Sequence, residues 1–213
     1  MSQPTESQAA RKGAGNHRAG DKSQRILDAA IAVIAQKGYF QARVSEIADK
    51  AGVADGTIYL YYKNKEQLLM AAIDSAFGAF LDRARRELAE VKGPKQRLHR
   101  LAFVHLDMLG GNRDLAIVFQ TELRQSAKFL KEFSQHRLVE YFDMIRGIVR
   151  EGQQTGEFRA EMSEKIAANC FFGALDEMVT SWMLSDRDYP LAGAADAVVG
   201  LILAGMESDP GRR

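Results

Sequence analysis

Residues 44–61 read VSEIADKAGVADGTIYLY, and the reading of this stretch decides the fold. Val44, Ile47, Ala48 and Ala51 recur at helical spacing, so a short helix runs up to Gly52. Gly52 tolerates the positive φ of a tight turn. It comes four residues after Ala48, a side chain small enough for a second helix to approach. That second helix follows over residues 56–61, with Asp55 placed to cap it. Val44, Ile47, Val53 and Ile58 lock the pair onto a preceding helix. Two short helices joined in this way have the pattern of a helix-turn-helix, whose second helix enters the major groove of DNA. Taken alone, the Ala-x-x-x-Gly spacing also suits a plain helical hairpin.

On the N-terminal side, Ile26, Leu27, Ala30, Ile31 and Ile34 mark a helix from Ser23 that Gly38 closes. Residues 1–22 are polar and Gly-rich with no apolar period, and composition predicts a disordered arm. Arg11, Lys12, Arg18 and Lys22 make it mildly basic, which suits a solvated tail or an arm that touches DNA.

On the C-terminal side, Asn64 caps a long helix with the stripe Leu69, Ile73, Ala76, Phe77, Phe80, Ala84 and Leu88, ended by Gly93-Pro94. Residues 95–109 are apolar nearly all round, so that helix is buried on most sides. Further helices are expected over 113–125, along an amphipathic segment marked by Phe129, Phe133, Phe142, Ile145 and Val149, from the Ser163 cap to about Ser185, and from Pro190 to about Gly205. No segment sustains period-2 alternation, so the fold class is all-α. The small residues Ala192, Gly193, Ala194, Ala197, Gly200 and Gly205, with Trp182 and Met183 on the preceding helix, suggest a close helix–helix interface.

The 213 residues are 46% hydrophobic and 27% charged, an ordinary globular balance. A net charge of +1 gives no global argument for nucleic-acid binding, so any DNA contact must rest on local charge. No apolar run approaches the ~20 residues that span a membrane, and none near the N-terminus resembles a secretion signal. The single cysteine, Cys170, excludes an internal disulfide and fits a cytoplasmic location. It sits in an apolar run and reads as a packed thiol. His17, His99, His105 and His136 are scattered, with no Glu-x-x-His or His-x-x-x-His spacing, and no Walker-type loop occurs. Glu122, Asp176 and Glu177 read as hydrogen-bonding or ion-pairing groups. The expectation is a protein with no catalytic residues, no metal and no cofactor, with a helical enzyme as the remote alternative.

Residues 56–69, GTIYLYYKNKEQLL, resemble the signature G-T-[IL]-Y-x-[HY]-[FY]-x-[NS]-K-[ED]-x-L of the TetR family of transcriptional regulators. The resemblance extends over Ser23–Leu69. It implies a helix-turn-helix DNA-binding domain at 23–66 and a ligand-binding and dimerisation domain at 67–213. It also implies a homodimer that reads a palindromic double-stranded operator. Gly56 lets the helix backbone approach DNA closely. Thr57, Tyr59 and Tyr61 carry hydroxyls suited to phosphate oxygens. Lys65 begins the long helix, where its charge and the helix N-terminus can address a phosphate. Val53 and Ala54 suit thymine methyl groups. Tyr62 is expected in the core. Many family members have Ser or Thr just before position 44. Here Ala42 and Arg43 stand there, so Ser45 takes the cap or Arg43 meets the phosphate itself.

The second half resembles a narrower group, the FadR-type repressors of fatty-acid degradation, which long-chain acyl-CoA releases from DNA. The matching stretches are 52–59, 114–118, 122–126, Asp176-Glu177, Val179-Thr180 and Trp182. The effector implied is a long-chain acyl-CoA. Phe103, Leu106, Leu109, Phe119, Leu123, Phe142, Phe171, Phe172 and Leu175 are the candidate apolar wall for its chain. Arg113 and Arg124, together with Lys128, are the basic candidates for its phosphates. The apolar wall alone suits a sensor of drugs or other lipophilic compounds equally well.

Overall fold

A computed structural model of the chain describes the backbone of residues 6–208, apart from 126, 128, 130, 132–136 and 188. It describes the side chains of the same residues from Gly20 onward, apart from Gln125. Phe133 and Lys128 lie outside the described residues. The chain separates into two compact units, Met1–Ile73 and Asp74–Arg213.

The first unit contains α1 (Glu6–Lys37), α2 (Val44–Ala51), α3 (Asp55–Tyr61) and the opening turns of α4 (Lys65–Ala89). The backbone of α1 is already helical from Glu6, so residues 6–22 depart from the disordered arm expected over 1–22, whose first five residues lie outside the described ones. Adding a residue to an existing helix costs far less than nucleating one, so a segment with no apolar face can extend it. Among the described side chains, burial begins at Ile26. Gly38 and Gly52 adopt φ of 76° and 66°, the left-handed conformation that ends each helix. After α2, the Val53 N–H reaches the Ala48 carbonyl at 3.0 Å and the Gly52 N–H reaches Asp49 at 3.1 Å. This closure turns the chain directly into α3. Asp55 does not cap α3: the N-cap is Ala54, and Asp55 is the first helical residue, where its charge still complements the helix N-terminus. Ile26, Ile34, Ile47, Ala48, Ile58, Leu68, Leu69 and Ile73 are at most 1% exposed and form the core. Because Leu68, Leu69, Ala72 and Ile73 of α4 are buried with it, the unit ends later than the 66/67 boundary expected from the sequence.

The second unit is a helical bundle around α5 (Pro94–Gly110), which meets α8 (Arg137–Gln154), α9 (Glu164–Leu184) and α10 (Ala195–Met206). A 3-10 turn, Leu191–Ala194, leads into α10. Leu98, Leu101, Ala102, Val104 and Leu106 on α5 are fully buried, as its all-round apolar sequence requires. Between α5 and α8 the chain forms α6 (Arg113–Ile117), a π turn over Val118–Glu122 and α7 (Leu123–Gln125). Asn112 caps α6 through its side chain. Among the described residues there is no strand, only an isolated bridge between Phe158 and Glu207. None of the described helices is long and apolar enough to cross a membrane.

Two expectations change here. Cys170 is exposed on α9 rather than packed. Trp182 belongs to the core, 3% exposed, with its indole N–H donating to the Tyr189 carbonyl at 3.0 Å.

Candidate functional site

In the first unit, α3 has one buried side chain, Ile58, and this orients the whole helix. At 100° per residue, Gly56 and Leu60 fall on the opposite side. Leu60 is 83% exposed, Tyr59 56% and Tyr61 40%, while Gly56 and Ala54 are open to solvent. Val53 and Thr57 are half-buried. The sequence reading missed Leu60, although a helical wheel anchored on Ile58 points it outward. Phe40, 84% exposed in the loop before α2, was also missed. Tyr62 is half-buried rather than in the core, its hydroxyl 3.0 Å from Ser23 Oγ.

The start of α2 resolves the departure at Ala42 and Arg43. Arg43 is the N-cap residue, and its guanidinium has no acceptor with which to cap. Glu46 does the work from the third helical position: its Oε2 accepts from the Arg43 N–H at 3.1 Å. Lys37 Nζ donates to Glu46 Oε1 at 2.6 Å. The Lys37 hydrogen bond, and after it the Arg43 N–H, hold the Glu46 carboxyl below the usual carboxylate range. Ser45 is exposed in the first turn and does not cap, and the Arg43 side chain is exposed beside it.

Lys65 is placed differently from the expectation of a phosphate contact. Its Nζ donates to the carbonyls of Tyr39 at 2.6 Å, Ala42 at 2.9 Å and Phe40 at 3.3 Å. It also stands 4.6 Å from the centre of the Tyr39 ring. These acceptors take all three ammonium protons. Lys65 therefore ties the loop that delivers Arg43 to the start of α4, and it positions the surface rather than extending it. Replacing Lys65 with Met keeps most of the stem and orphans these carbonyls. The variant is expected to lose about 2 kcal/mol of stability, read in urea unfolding. An unchanged midpoint would show that the clamp contributes nothing.

In the second unit, helices α4 to α9 enclose a cavity of about 270 Å³. Phe77 and Phe80 of α4, Met108 and Leu109 of α5, Phe119 and Leu123, Leu138 of α8 and Phe172 of α9 form its apolar wall. Its polar lining comprises His105, Gln120, Arg124 and Asp176. Arg124 donates to Asp176 Oδ2, and Gln120 Nε2 donates to Asp176 Oδ1 at 2.9 Å. The π turn explains why Phe119, Gln120, Leu123 and Arg124 all reach the cavity. Its extra residue per turn lets adjacent positions face one way, a feature frequent at functional sites. His105 Nδ1 is 2.8 Å from the Tyr141 hydroxyl. Burial pushes the His105 imidazole down to about 4 and the Tyr141 phenol up.

Five of the residues expected to bind ligand therefore line the cavity: Leu109, Phe119, Leu123, Arg124 and Phe172. The others do not. Phe103 is exposed, with the Arg100 guanidinium 5.9 Å from its ring centre. Leu106, Phe171 and Leu175 are buried in the bundle core. Phe142 packs against Phe172 at 5.2 Å and borders a separate groove with Arg146 and Lys165. Arg113 donates to the Met183 carbonyl at 2.6 Å and lies 5.1 Å from the Trp182 ring centre, so it clamps the C-terminus of α9. The sequence reading missed His105, Met108, Gln120, Leu138 and Asp176 as cavity residues, and treated Phe77 and Phe80 as plain core. Among the described residues no cluster of His, Cys, Asp and Glu could hold a metal ion.

Comparison with known proteins follows this division. Residues 26–72 match the bacterial regulatory proteins of the tetR family, and residues 73–205 match the C-terminal region of YsiA-like proteins. The chain is 40% identical over 187 residues to the fatty acid metabolism regulator protein of Bacillus subtilis, covering 88% of this chain and 96% of that one. The solved structure of FadR from Bacillus subtilis in complex with stearoyl-CoA superposes with a TM-score of 0.80, covering 85% of this chain and 97% of that one. The TtgR regulator of Pseudomonas putida is 26% identical over 203 residues, 88% of this chain and 92% of its own. With an exposed helix-turn-helix face in one unit, an apolar cavity in the other, and a relative of this identity spanning nearly the whole chain, the protein belongs to the TetR family of bacterial transcriptional regulators.

Proposed function

We propose that this chain is a homodimeric repressor of fatty-acid degradation genes, held on a palindromic operator and released by long-chain acyl-CoA. The cavity carries this reading. Eight apolar side chains with a polar group of Arg124, Asp176 and Gln120 form a slot suited to a hydrocarbon chain with a polar head. The related Bacillus subtilis FadR, solved with stearoyl-CoA, supports the choice of ligand. Residues 23–66 read DNA through Arg43, Ser45, Val53, Ala54, Gly56, Thr57, Tyr59 and Tyr61, with Lys65 positioning them. Residues 67–213 sense and dimerise. The protein acts by binding in the cytoplasm, without catalysis.

A 270 Å³ space lies at the small end of ligand sites, which run from roughly 300 to 1,000 Å³. A long chain must therefore displace its walls, because close-packed interiors do not yield freely. Phe77 and Phe80 stand on α4, the helix whose first turns carry Leu68 and Leu69 of the DNA-reading unit. A ligand that shifts α4 thereby acts on operator binding, given a differential affinity on the order of 5 kcal/mol between the two states.

The exposed faces of α9 and α10 support the dimer. Ile166, Cys170, Gly173, Glu177, Ser181 and Leu184 share one exposed stripe of α9. Ala197, Gly200, Leu201 and Ala204 share one on α10, with Leu201 81% exposed. Small side chains beside exposed Leu and Ile suit an isologous four-helix interface. The test titrates palmitoyl-CoA into the protein–operator complex, with sedimentation in parallel. The expected results are a dimer, release at micromolar ligand, and weakened release for Arg124→Ala with operator affinity retained. A complex that survives well above micromolar ligand, or a monomeric wild type, would refute this reading.

A further inference from the structure

The cavity contains one polar group whose hydrogen bonding the protein leaves unfinished. His105 is 5% exposed and lines the cavity. Its ring lies 6.0 Å from that of Phe80, 5.6 Å from Tyr141 and 6.1 Å from Phe172. Tyr141 is fully buried, and among the described residues its hydroxyl bonds to His105 Nδ1 at 2.8 Å. A buried phenol must donate its proton, so Nδ1 is the acceptor and the ring proton sits on Nε2. His105 Nε2 is buried and has no partner among the described residues. The imidazole stays neutral at physiological pH, since burial holds it down to about 4. What remains is a buried Nε2–H donor, on a residue that lines the cavity, with no acceptor among the described residues.

We propose that His105 Nε2–H donates a hydrogen bond to the carbonyl oxygen of a bound acyl group, and so selects acyl thioesters over alkyl chains of equal length. This rests on the reading of the protein as an acyl-CoA-responsive regulator. An alkyl chain would leave the donor unpaired, a state that proteins avoid because its desolvation is uncompensated. A free carboxylate fits less well than a neutral carbonyl. The charge of Asp176 already acts on His105, and Arg124 is already paired with Asp176. A second buried anion there would have no cation of its own. The carbonyl thus sits on the polar side of the cavity, and the chain runs past Phe77, Phe119 and Leu123.

The experiment measures calorimetric affinities of the full-length protein for palmitoyl-CoA, for S-hexadecyl-CoA, in which a methylene replaces the carbonyl, and for free palmitate. Wild type is expected to bind the thioester about 10-fold to 100-fold more tightly than the thioether, the scale of one buried unpaired donor. Palmitate is expected to bind more weakly than the thioester. His105→Phe should bind thioester and thioether alike, and His105→Gln, which keeps a donor, should restore part of the preference. In the wild type, the Nε2–H resonance of His105 should move with the thioester and not with the thioether. This signature decides the matter even if the variants fold poorly. Equal wild-type affinity for thioester and thioether overturns the role of His105 and leaves the regulator reading standing. Palmitate binding as tightly as the thioester overturns the choice of a carbonyl. Binding of none of the three overturns the acyl-CoA reading and this inference with it.

Discussion

Gly152→Ala lowers the stability of the protein by about 3 kcal/mol, while Gly147→Ala on the same helix raises it by about 0.5–1 kcal/mol. Both glycines lie inside α8 and differ in what stands over them. A Cβ at position 147 meets nothing within 4 Å, so alanine there simply adds helix propensity. A Cβ at position 152 falls 2.1 Å from Cδ2, 2.4 Å from Cε2 and 2.7 Å from Cγ of Phe158. Rotating the ring cannot relieve a clash that includes Cγ, so Phe158, now 1% exposed, has to leave its site. Losing a buried phenylalanine costs about 3–5 kcal/mol, of which the helix-propensity gain returns about 1. The loss spreads to the end of α10, because the Arg159 N–H donates to the Met206 carbonyl and the Ser208 N–H to that of Glu157. Urea unfolding of the two variants side by side checks this. Equal stability would mean that the ring at 158 has room to move.

Acidification below about pH 6.5 is expected to weaken the protein through His105 by about 3 kcal/mol in total. The folded imidazole titrates at about 4, against about 6.5 in an unfolded chain. Between these values the unfolded chain binds a proton that the folded protein refuses, so stability falls as pH falls. It is complete above about 6.5 and levels off below about 4. The groups packed around His105 are Tyr141, which stays protonated throughout, and Asp176. Glu46, held below the usual range by Lys37, adds a loss of the same sign at lower pH, so the slope in wild type is not due to His105 alone. Unfolding free energies at about pH 7 and about pH 4.5 should therefore differ less in His105→Phe than in wild type, by about 2–3 kcal/mol. Loss of the Tyr141 partner lowers the variant at both pH values and cancels from the comparison. Identical pH slopes would show that the imidazole is not held neutral by burial.

The two halves of the molecule were legible to different depths. The helix-turn-helix could be read because its determinants lie within a few residues of one another. Gly38 and Gly52 take the left-handed conformations that their positions required. Ile47, Ala48 and Ile58 are buried as their spacing required. Errors there were small and local. Asp55 moved one place into its helix, Glu46 took the cap assigned to Ser45, and Lys65 turned inward to the carbonyls of residues 39–42. The last could not be seen along the chain, because those acceptors lie more than twenty residues before the lysine.

The cavity of the second unit was legible only as a composition. Apolar residues cover most of α5, which exposes only Gln96, Arg100 and Phe103, and much of α9, so periodicity alone cannot say which face a cavity takes. Phe171 and Phe172 are neighbours in sequence, yet one is core and the other is wall. The π turn at Val118–Glu122 breaks the 3.6-residue count on which such an assignment depends.

The sequence by itself determined that the fold is all-helical, where its first helices turn, and that α3 turns one face to solvent, because capping, left-handed glycines and local apolar spacing act over one or two helical turns. Tertiary structure alone decided which side chains meet across the bundle. It set His105 against Tyr141, joined Arg124 to Asp176, placed Phe77 and Phe80 in the cavity wall and turned Arg113 to the end of α9. Those pairings join residues 36 to 70 positions apart or share a wall built from six helical segments. They exist only once close packing of the whole bundle has chosen one face of each helix over equally apolar alternatives.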